Sequence, residues 1–87
     1  MIKLELEQIE IAVLKVMHSR RIYGKNHKRI ETVTSSGFPK HEYKNVKNAI
    51  ISLMKKGYIV WYHKADKSIQ LNKNRYQEID NIIRNNL

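Results

Sequence analysis

The stretch from 38 to 72, FPKHEYKNVKNAIISLMKKGYIVWYHKADKSIQLN, constrains the fold more than any other part of the chain. Its apolar residues recur at steps of three and four, which predicts an amphipathic helix over 39–56 that Gly57 ends. Residues that favour β-structure then flank a charged turn, which predicts a hairpin over 58–72. A chain of 87 residues has room for one core only. The expected core residues here are Tyr43, Val46, Ile50, Leu53, Ile59, Trp61, Ile69 and Leu71.

Helical spacing of apolar residues predicts three further helices, over about 5–20, 27–35 and 74–85. Asn26 and Asn74 stand where N-caps of the last two would lie, because a short polar side chain can accept from the free N–H groups of a helix start. No repeat, linker or low-complexity tract divides the 87 residues. The chain is therefore expected to form a single domain over 1–87.

Two glycines suggest where the chain turns before the long helix. Gly37 is expected to stop the second helix in the left-handed conformation, with Phe38 as the apolar residue after the turn. The segment from Ile22 to Gly24 is too short for a helix, and its glycine suits a brief extended piece. It is the expected third, minor strand of the sheet.

Positive charge is concentrated in the middle of the chain. The sequence has 17 Lys and Arg and 8 Asp and Glu, for a net charge of +9. Residues 18–75 carry 14 Lys and Arg with 3 acids, a net +11, while the two ends together carry −2. A field of one sign over one region attracts polyanions, among which nucleic acid is the commonest. The alternative is a lysine-rich surface that is merely solvated.

Several classes of site have no support in the residues. With 0 cysteines there is no disulfide and no thiolate metal site, and the four histidines lack a metal-ligand spacing. No paired acids or activated serine indicate catalysis, so we expect no enzyme, cofactor, metal or small-molecule ligand. No apolar run could span a membrane, and the acidic first residues do not resemble an export signal. We expect a cytoplasmic, nucleoid-associated protein.

The order helix, helix, short turn, helix, glycine, hairpin and last helix resembles the winged helix-turn-helix family of DNA-binding domains. The resemblance covers Ile9 to about Ile83 and is carried by RIETVTSSGFPK, VKNAIISLMKKGYI and WYHKADKSIQLN. Pro39 departs from it, because many members have Ser or Thr there. The resemblance implies an α+β fold with a three-helix core, a two- or three-stranded wing and a C-terminal helix.

The resemblance also implies a sequence-specific binder of double-stranded DNA, such as a small transcriptional regulator. The helix over 39–56 would be the recognition helix in the major groove, and the wing over 63–68 would contact the adjacent backbone or minor groove. A helix N-terminus attracts phosphate, and asparagine can pair with adenine, so Asn45 and Asn48 are the candidate base readers. The candidate nucleic-acid contacts are Lys28, Arg29, Lys40, His41, Lys44, Asn45, Lys47, Asn48, Lys55, Lys64 and Lys67.

Other readings of the same residues stay open. The same fold also serves RNA-binding modules and protein interaction adaptors. Tyr62 alternates with the expected core residue Trp61, so it lies on the other face of its strand and is the better candidate for stacking on an unpaired base. The last helix carries apolar residues that either pack on the first helix or meet a second copy. Because winged helices commonly pair through their first and last helices, a homodimer is expected.

Overall fold

A computed structural model describes residues 6–86 of the chain. Within these residues, four α-helices and a three-stranded antiparallel sheet form an α+β fold. None of these helices is both long and apolar enough to cross a membrane. In chain order the elements are α1 (Gln8–Ser19), β1 (Lys28–Arg29), α2 (Ile30–Gly37), α3 (Tyr43–Lys55), β2 (Ile59–His63), β3 (Ser68–Leu71) and α4 (Tyr76–Arg84). Single 3-10 turns, Lys40–Glu42 and Lys73–Arg75, precede α3 and α4.

The core lies where α1, α3 and the inner side of the sheet meet. α1 is the central helix, since it contacts α2, α3, α4 and β3. Burial of these apolar side chains away from water is the main force that holds the elements together. The fully buried side chains include Val13, Leu14, Met17, Val33, Val46, Ile50, Leu53, Ile59, Ile69, Leu71 and Ile79. The expected core is therefore confirmed, except for Tyr43, which is half-buried, and Trp61.

Trp61 is 38% exposed, so its assignment to the core is wrong. Its cross-strand partner Ile69 is buried, and Ile59, two residues earlier on the same strand, is buried as well. Alternation places Trp61 on the inner side of the sheet. It does not reveal where the core beneath that side ends, and the hairpin extends past the core before its turn.

The third strand of the sheet is β1, and not the segment from Ile22 to Gly24. β3 is the central strand, with β1 and β2 on its two sides. Lys28 pairs with Ile69 and Arg29 with Ser68. Ile22 makes a single sheet-like bond, in which its carbonyl accepts from the Leu71 N–H at 2.9 Å. The prediction of a strand over residues 22–24 is therefore wrong, although this segment makes one backbone hydrogen bond with β3.

The starts of α2 and α4, at Ile30 and Tyr76, differ from the predicted positions 27 and 74. α2 begins at Ile30 and not at 27, because residues 28–29 pair with β3. Asn26 does not cap it, and donates instead to the carbonyls of Arg20 and Arg21 at 3.0 and 2.9 Å. The start of α1 predicted at residue 5 lies outside the described residues. Before α4, the side chain that accepts from a free N–H belongs to Asn72 and not to Asn74.

Gly37, before α3, and Gly57, after it, differ in backbone conformation. Gly37 belongs to α2 and does not have a positive φ, so its predicted left-handed conformation is wrong. α3 begins at Tyr43, after a 3-10 turn, and not at Pro39. Gly57 has a φ of +87° and follows the helix end, as predicted. Its left-handed conformation turns the chain directly into β2.

Candidate nucleic-acid interface

One side of α3 is entirely exposed, and we call it the outer strip of α3. The opposite side contributes Val46, Ile50 and Leu53 to the core. Residues three or four apart are neighbours on a helix surface, so the exposed side chains form one continuous strip. Its members are Lys44, Lys47, Asn48, Ile51 and Lys55. Ile51 lies at its centre and is 49% exposed.

The lysines of this strip are not neutralised within the described part of the chain. Ion pairs among residues 6–86 join His18 to Asp80, His41 to Glu42, Lys56 to Glu10, Arg75 to Glu78 and Arg84 to Asp80. None of them uses a lysine of the strip. Uncompensated charges on one helix face produce a local positive potential that a polyanion can enter.

The N-terminus of α3 differs from the expected phosphate site. Glu42 occupies the N-cap position, and His41 Nε2 lies 3.7 Å from its Oε1. An acidic residue therefore stands at the positive end of the helix dipole, although its carboxylate makes no hydrogen bond with the N–H groups of the helix start. Lys40 and His41 are exposed on the 3-10 turn before the helix, outside its first turn.

Asn45 lies on a different side of α3 from the outer strip. Its amide donates to Glu42 Oε2 at 3.3 Å. It lines a groove of about 660 Å³ between α1 and α3, together with Glu7, Glu10 and Glu42. Lys56 also lines the groove and pairs with Glu10, so the groove keeps an excess of negative charge, which disfavours phosphate. Of the two predicted base readers, only Asn48 borders the outer strip as well as the groove.

Glu10 fixes α1 to the end of α3 at the bottom of that groove. Its carboxylate accepts from Lys56 Nζ at 2.9 and 3.0 Å, from Ser52 Oγ at 2.8 Å and from the Glu7 N–H at 2.8 Å. Burial acts to raise the pKa of Glu10, but these hydrogen bonds outweigh it and hold the pKa below its ordinary value of 4.5. Lys56 is therefore committed to the fold and lies outside the outer strip.

A second basic cluster surrounds the hairpin turn, Lys64–Lys67. The turn closes with a bond from the Lys67 N–H to the Lys64 carbonyl at 3.2 Å, and the Ile30 N–H donates to the Lys67 carbonyl at 3.1 Å. The start of α2 is thus tied to the turn. Because β1 immediately precedes α2, Lys28 and Arg29 lie beside it. The four side chains of this cluster, Lys28, Arg29, Lys64 and Lys67, are exposed.

Asp66 is the acid of this cluster. Its carboxylate accepts from the Ser68 N–H at 3.1 Å. Hydrogen bonds from Ser68, helped by the nearby His63 and Arg29, lower the pKa of Asp66 below its ordinary value. The carboxylate thus holds the shape of the turn, and the cluster keeps an excess of positive charge.

Lys67 has a φ of 58°, in the left-handed region that favours glycine. Among residues 6–86 the other non-glycine residue of this kind is Arg21, with a φ of 54°. Arg21 ends α1, where the Ile22 N–H donates to the Met17 carbonyl at 3.0 Å, in the bond pattern that glycine usually completes. Hairpin turns likewise favour glycine at the position of Lys67. Both residues therefore carry a conformational cost that glycine would avoid.

Rings gather on the hairpin in a way that the sequence pattern did not predict. His27 stacks on Tyr62, with ring centroids 3.8 Å apart and planes 10° from parallel. His27 precedes β1 and Tyr62 lies on β2, so only the order of the strands brings them together across β3. Periodicity within one segment carries no signal for such a pair. Tyr62 itself is 37% exposed. Its stacking on an unpaired base stays a prediction.

One group of side chains resembles a catalytic arrangement, and it connects α1 to α4. His18 Nε2 lies 3.3 Å from Asp80 Oδ1, and its Nδ1 lies 2.9 Å from the Tyr23 hydroxyl. Burial, with the nearby Tyr76 and Asp80, raises the pKa of Tyr23 to about 12. The hydroxyl therefore keeps its proton, and this cluster ties the helices together. Among residues 6–86, no group of three His, Cys, Asp or Glu could hold a metal ion.

Eight of the eleven predicted nucleic-acid contacts form two groups, and the other three lie outside both. Lys44, Lys47, Asn48 and Lys55 form the outer strip of α3, and the second group surrounds the hairpin turn. Asn45, Lys40 and His41 lie outside both. Comparison of the chain with protein-family models, with curated proteins and with solved structures finds no match.

Proposed function

We propose that the chain is a winged helix-turn-helix domain that binds double-stranded DNA in a sequence-specific manner. In this proposal α2 and α3 are the helix-turn-helix, and β2 with β3 is the wing. The observation that carries it is the outer strip of α3, whose three lysines are exposed and take part in none of the ion pairs within residues 6–86. A small α+β domain with one such helix face suits a major groove, which admits an α-helix.

The strip divides by chemistry into backbone and base contacts. Lysine makes point contacts with phosphate, so Lys44, Lys47 and Lys55 would position the helix. Asn48 can pair with the N6 and N7 edge of adenine. Ile51, which sequence reasoning left out of the site, can contact the methyl group of thymine. The proposal therefore assigns base reading to Asn48 and Ile51 and withdraws it from Asn45.

The wing would contact the DNA backbone beside the major groove. Lys64 and Lys67 stand at its turn, and Lys28 and Arg29 flank it on the neighbouring strand. Backbone contacts carry no sequence information, so these four side chains would contribute affinity and salt dependence. A chain of this kind would act as a small transcriptional regulator by occupying its site.

A homodimer remains part of the proposal, but the last helix leaves less apolar surface exposed for a second copy than the sequence pattern suggested. Ile79 is buried, and Ile82 and Ile83 are partly buried against the core of the same chain. α4 thus packs on α1 of the same chain. The ring of Tyr76, at the start of α4, is 47% exposed. Light scattering coupled to gel filtration measures the oligomeric state, and a two-fold symmetric binding site would accompany a dimer.

The test is binding of duplex DNA by charge variants across a salt series. Duplexes are first selected from a random pool, and affinity is then measured by fluorescence anisotropy. Removing two phosphate contacts in Lys44→Ala/Lys47→Ala should reduce the slope of log affinity against log salt by about 1.8. Lys73→Ala is the matched control, because Lys73 is an exposed lysine in the 3-10 turn before α4.

Three results would contradict the proposal. Selection could return no sequence that binds better than random DNA, the double variant could bind like the control, or structured RNA could compete better than duplex DNA. The last result would favour the RNA-binding alternative. Unchanged nucleic-acid affinity in the double variant would favour a protein interaction adaptor.

A further inference from the structure

The sheet has a side that faces away from α3, and we call it the outer face of the sheet. Ile59, Ile69 and Leu71 point into the core, so Val60 and Gln70 point to the other side. The register shifts between Trp61 and His63, which marks a β-bulge. Successive strand residues normally point to opposite sides, yet the rings of Tyr62 and His63 lie only 4.7 Å apart. The bulge therefore lets both rings project from one side.

That side is the outer face, as the strand pairing shows. His63 pairs with Ser68, and Ser68 alternates with the core residue Ile69. Across the central strand, Arg29 is also paired with Ser68. The rings of His27, Tyr62 and His63 thus gather with Arg29 on the side of the sheet opposite the core.

Among residues 6–86, no aromatic ring lies over one of the two faces of Tyr62. His27 covers the other face, with centroids 3.8 Å apart and nearly parallel planes. The distances from Tyr62 to His27 and His63, 3.8 and 4.7 Å, with 6.2 Å between the two histidines, form nearly a right angle at Tyr62. His63 therefore lies beside the tyrosine ring and not over its second face. The 37% exposure of Tyr62 agrees with an open face.

The surroundings of this ring favour an anionic ligand with flat aromatic groups. Lys64 directly follows His63, and Lys25 precedes His27 by two residues; both lysines are exposed. Asp66 is an acid of this region, and its carboxylate already accepts from the Ser68 N–H. Proteins bind single strands by combining basic residues along the backbone with aromatic rings on which bases stack.

We propose that the outer face of the sheet binds single-stranded DNA, with an unpaired base stacked on the open face of Tyr62. The phosphates on either side of that base would contact Arg29 and Lys64. Because this surface points away from α3, it is separate from the outer strip of α3, while Arg29 and Lys64 belong both to it and to the proposed wing contacts. The choice of DNA over RNA rests on the proposed function; the stacking site rests on the ring geometry alone.

The experiment measures binding of a labelled oligothymidylate, which forms no duplex, by fluorescence anisotropy. Stacking of one base contributes enough that Tyr62→Ala should lower the affinity by at least about fivefold. Tyr62→Phe keeps the ring and should bind within about twofold of the unmodified chain. His27→Ala removes the second layer of the stack and should weaken binding by an intermediate factor.

The duplex surface supplies the crossed control. Lys44→Ala/Lys47→Ala should lose duplex affinity and keep oligothymidylate affinity within about twofold, while Tyr62→Ala should do the reverse. Equal oligothymidylate binding by Tyr62→Ala and the unmodified chain would overturn the proposal, and so would no binding by either. Tighter binding of oligouridylate than of oligothymidylate would overturn the assignment to DNA. Failure of the duplex arm alone would contradict only the proposed function.

Discussion

Lys67→Gly should make the domain more stable and its binding to DNA weaker. The φ of 58° costs an L-residue about 1–2 kcal/mol. Glycine avoids this cost but adds about 0.5–1 kcal/mol of chain entropy to the unfolded state. The difference predicts a free energy of unfolding raised by about 0.5–1 kcal/mol. For a domain of this size that corresponds to a melting temperature higher by about 2–8 °C.

The same substitution removes one positive charge from the hairpin turn. If Lys67 contacts a phosphate, the slope of log affinity against log salt should fall by about 0.9. Circular dichroism measures the melting temperature, and fluorescence anisotropy in a salt series measures the slope. Stability and affinity should therefore move in opposite directions.

Lys67→Ala separates the two effects. Alanine loses the charge but keeps the left-handed conformation at nearly the same cost, so it should reduce the salt slope equally without raising the melting temperature. The strain argument is wrong if Lys67→Gly melts no higher than Lys67→Ala. The assignment of Lys67 to phosphate is wrong if both variants keep the original slope.

Three further substitutions test contacts of the fold. Gly57→Ala should lower the free energy of unfolding by at least about 1 kcal/mol in chemical denaturation, because φ is +87° and the new Cβ would lie 3.2 Å from the Arg75 guanidinium carbon; an unchanged midpoint would contradict this. Glu10→Gln should cost about 2 kcal/mol at neutral pH, since it leaves Lys56 without its carboxylate. Because the folded pKa of Glu10 lies below its ordinary value of 4.5, its contribution is present above pH 4.5 and is lost as pH falls through the lower folded value, so the melting temperatures of the two proteins should converge as the pH is lowered below 4.5. A constant difference would contradict this pH dependence. Arg21→Gly should stabilise by about 0.5–1 kcal/mol for the reason given for Lys67, and an unchanged duplex affinity is expected because Arg21 belongs to neither basic group.

Much of the fold could be predicted because it depends on local patterns. The apolar spacing of α3 placed Val46, Ile50 and Leu53 in the core, and Gly57 marked the helix end. The hairpin followed from alternation on both sides of a polar turn. These signals lie within single segments, where residue spacing determines which side chains share a face.

The remaining features depend on where segments meet. Trp61 is exposed because the core does not extend beneath its end of the hairpin. Residues 28–29 pair with β3 and form a strand, so α2 begins three residues later than predicted. Asn45 has the residue type of a base reader, but Glu42 on the preceding turn holds its amide at 3.3 Å. The stack of His27 on Tyr62 spans two strands and a bulge. No periodicity in the sequence encodes such long-range arrangements.

An NMR titration of the isotope-labelled chain with a selected duplex tests most directly whether α3 and the hairpin turn contact DNA. Backbone amide signals should shift most in α3, at Lys44, Lys47, Asn48 and Ile51, and around the hairpin turn, while the signals of α4 stay in place. Titration of the Lys44→Ala/Lys47→Ala variant should leave those signals largely unmoved at the same DNA concentration. Shifts confined to α1 and α4, with α3 unaffected, would contradict the account.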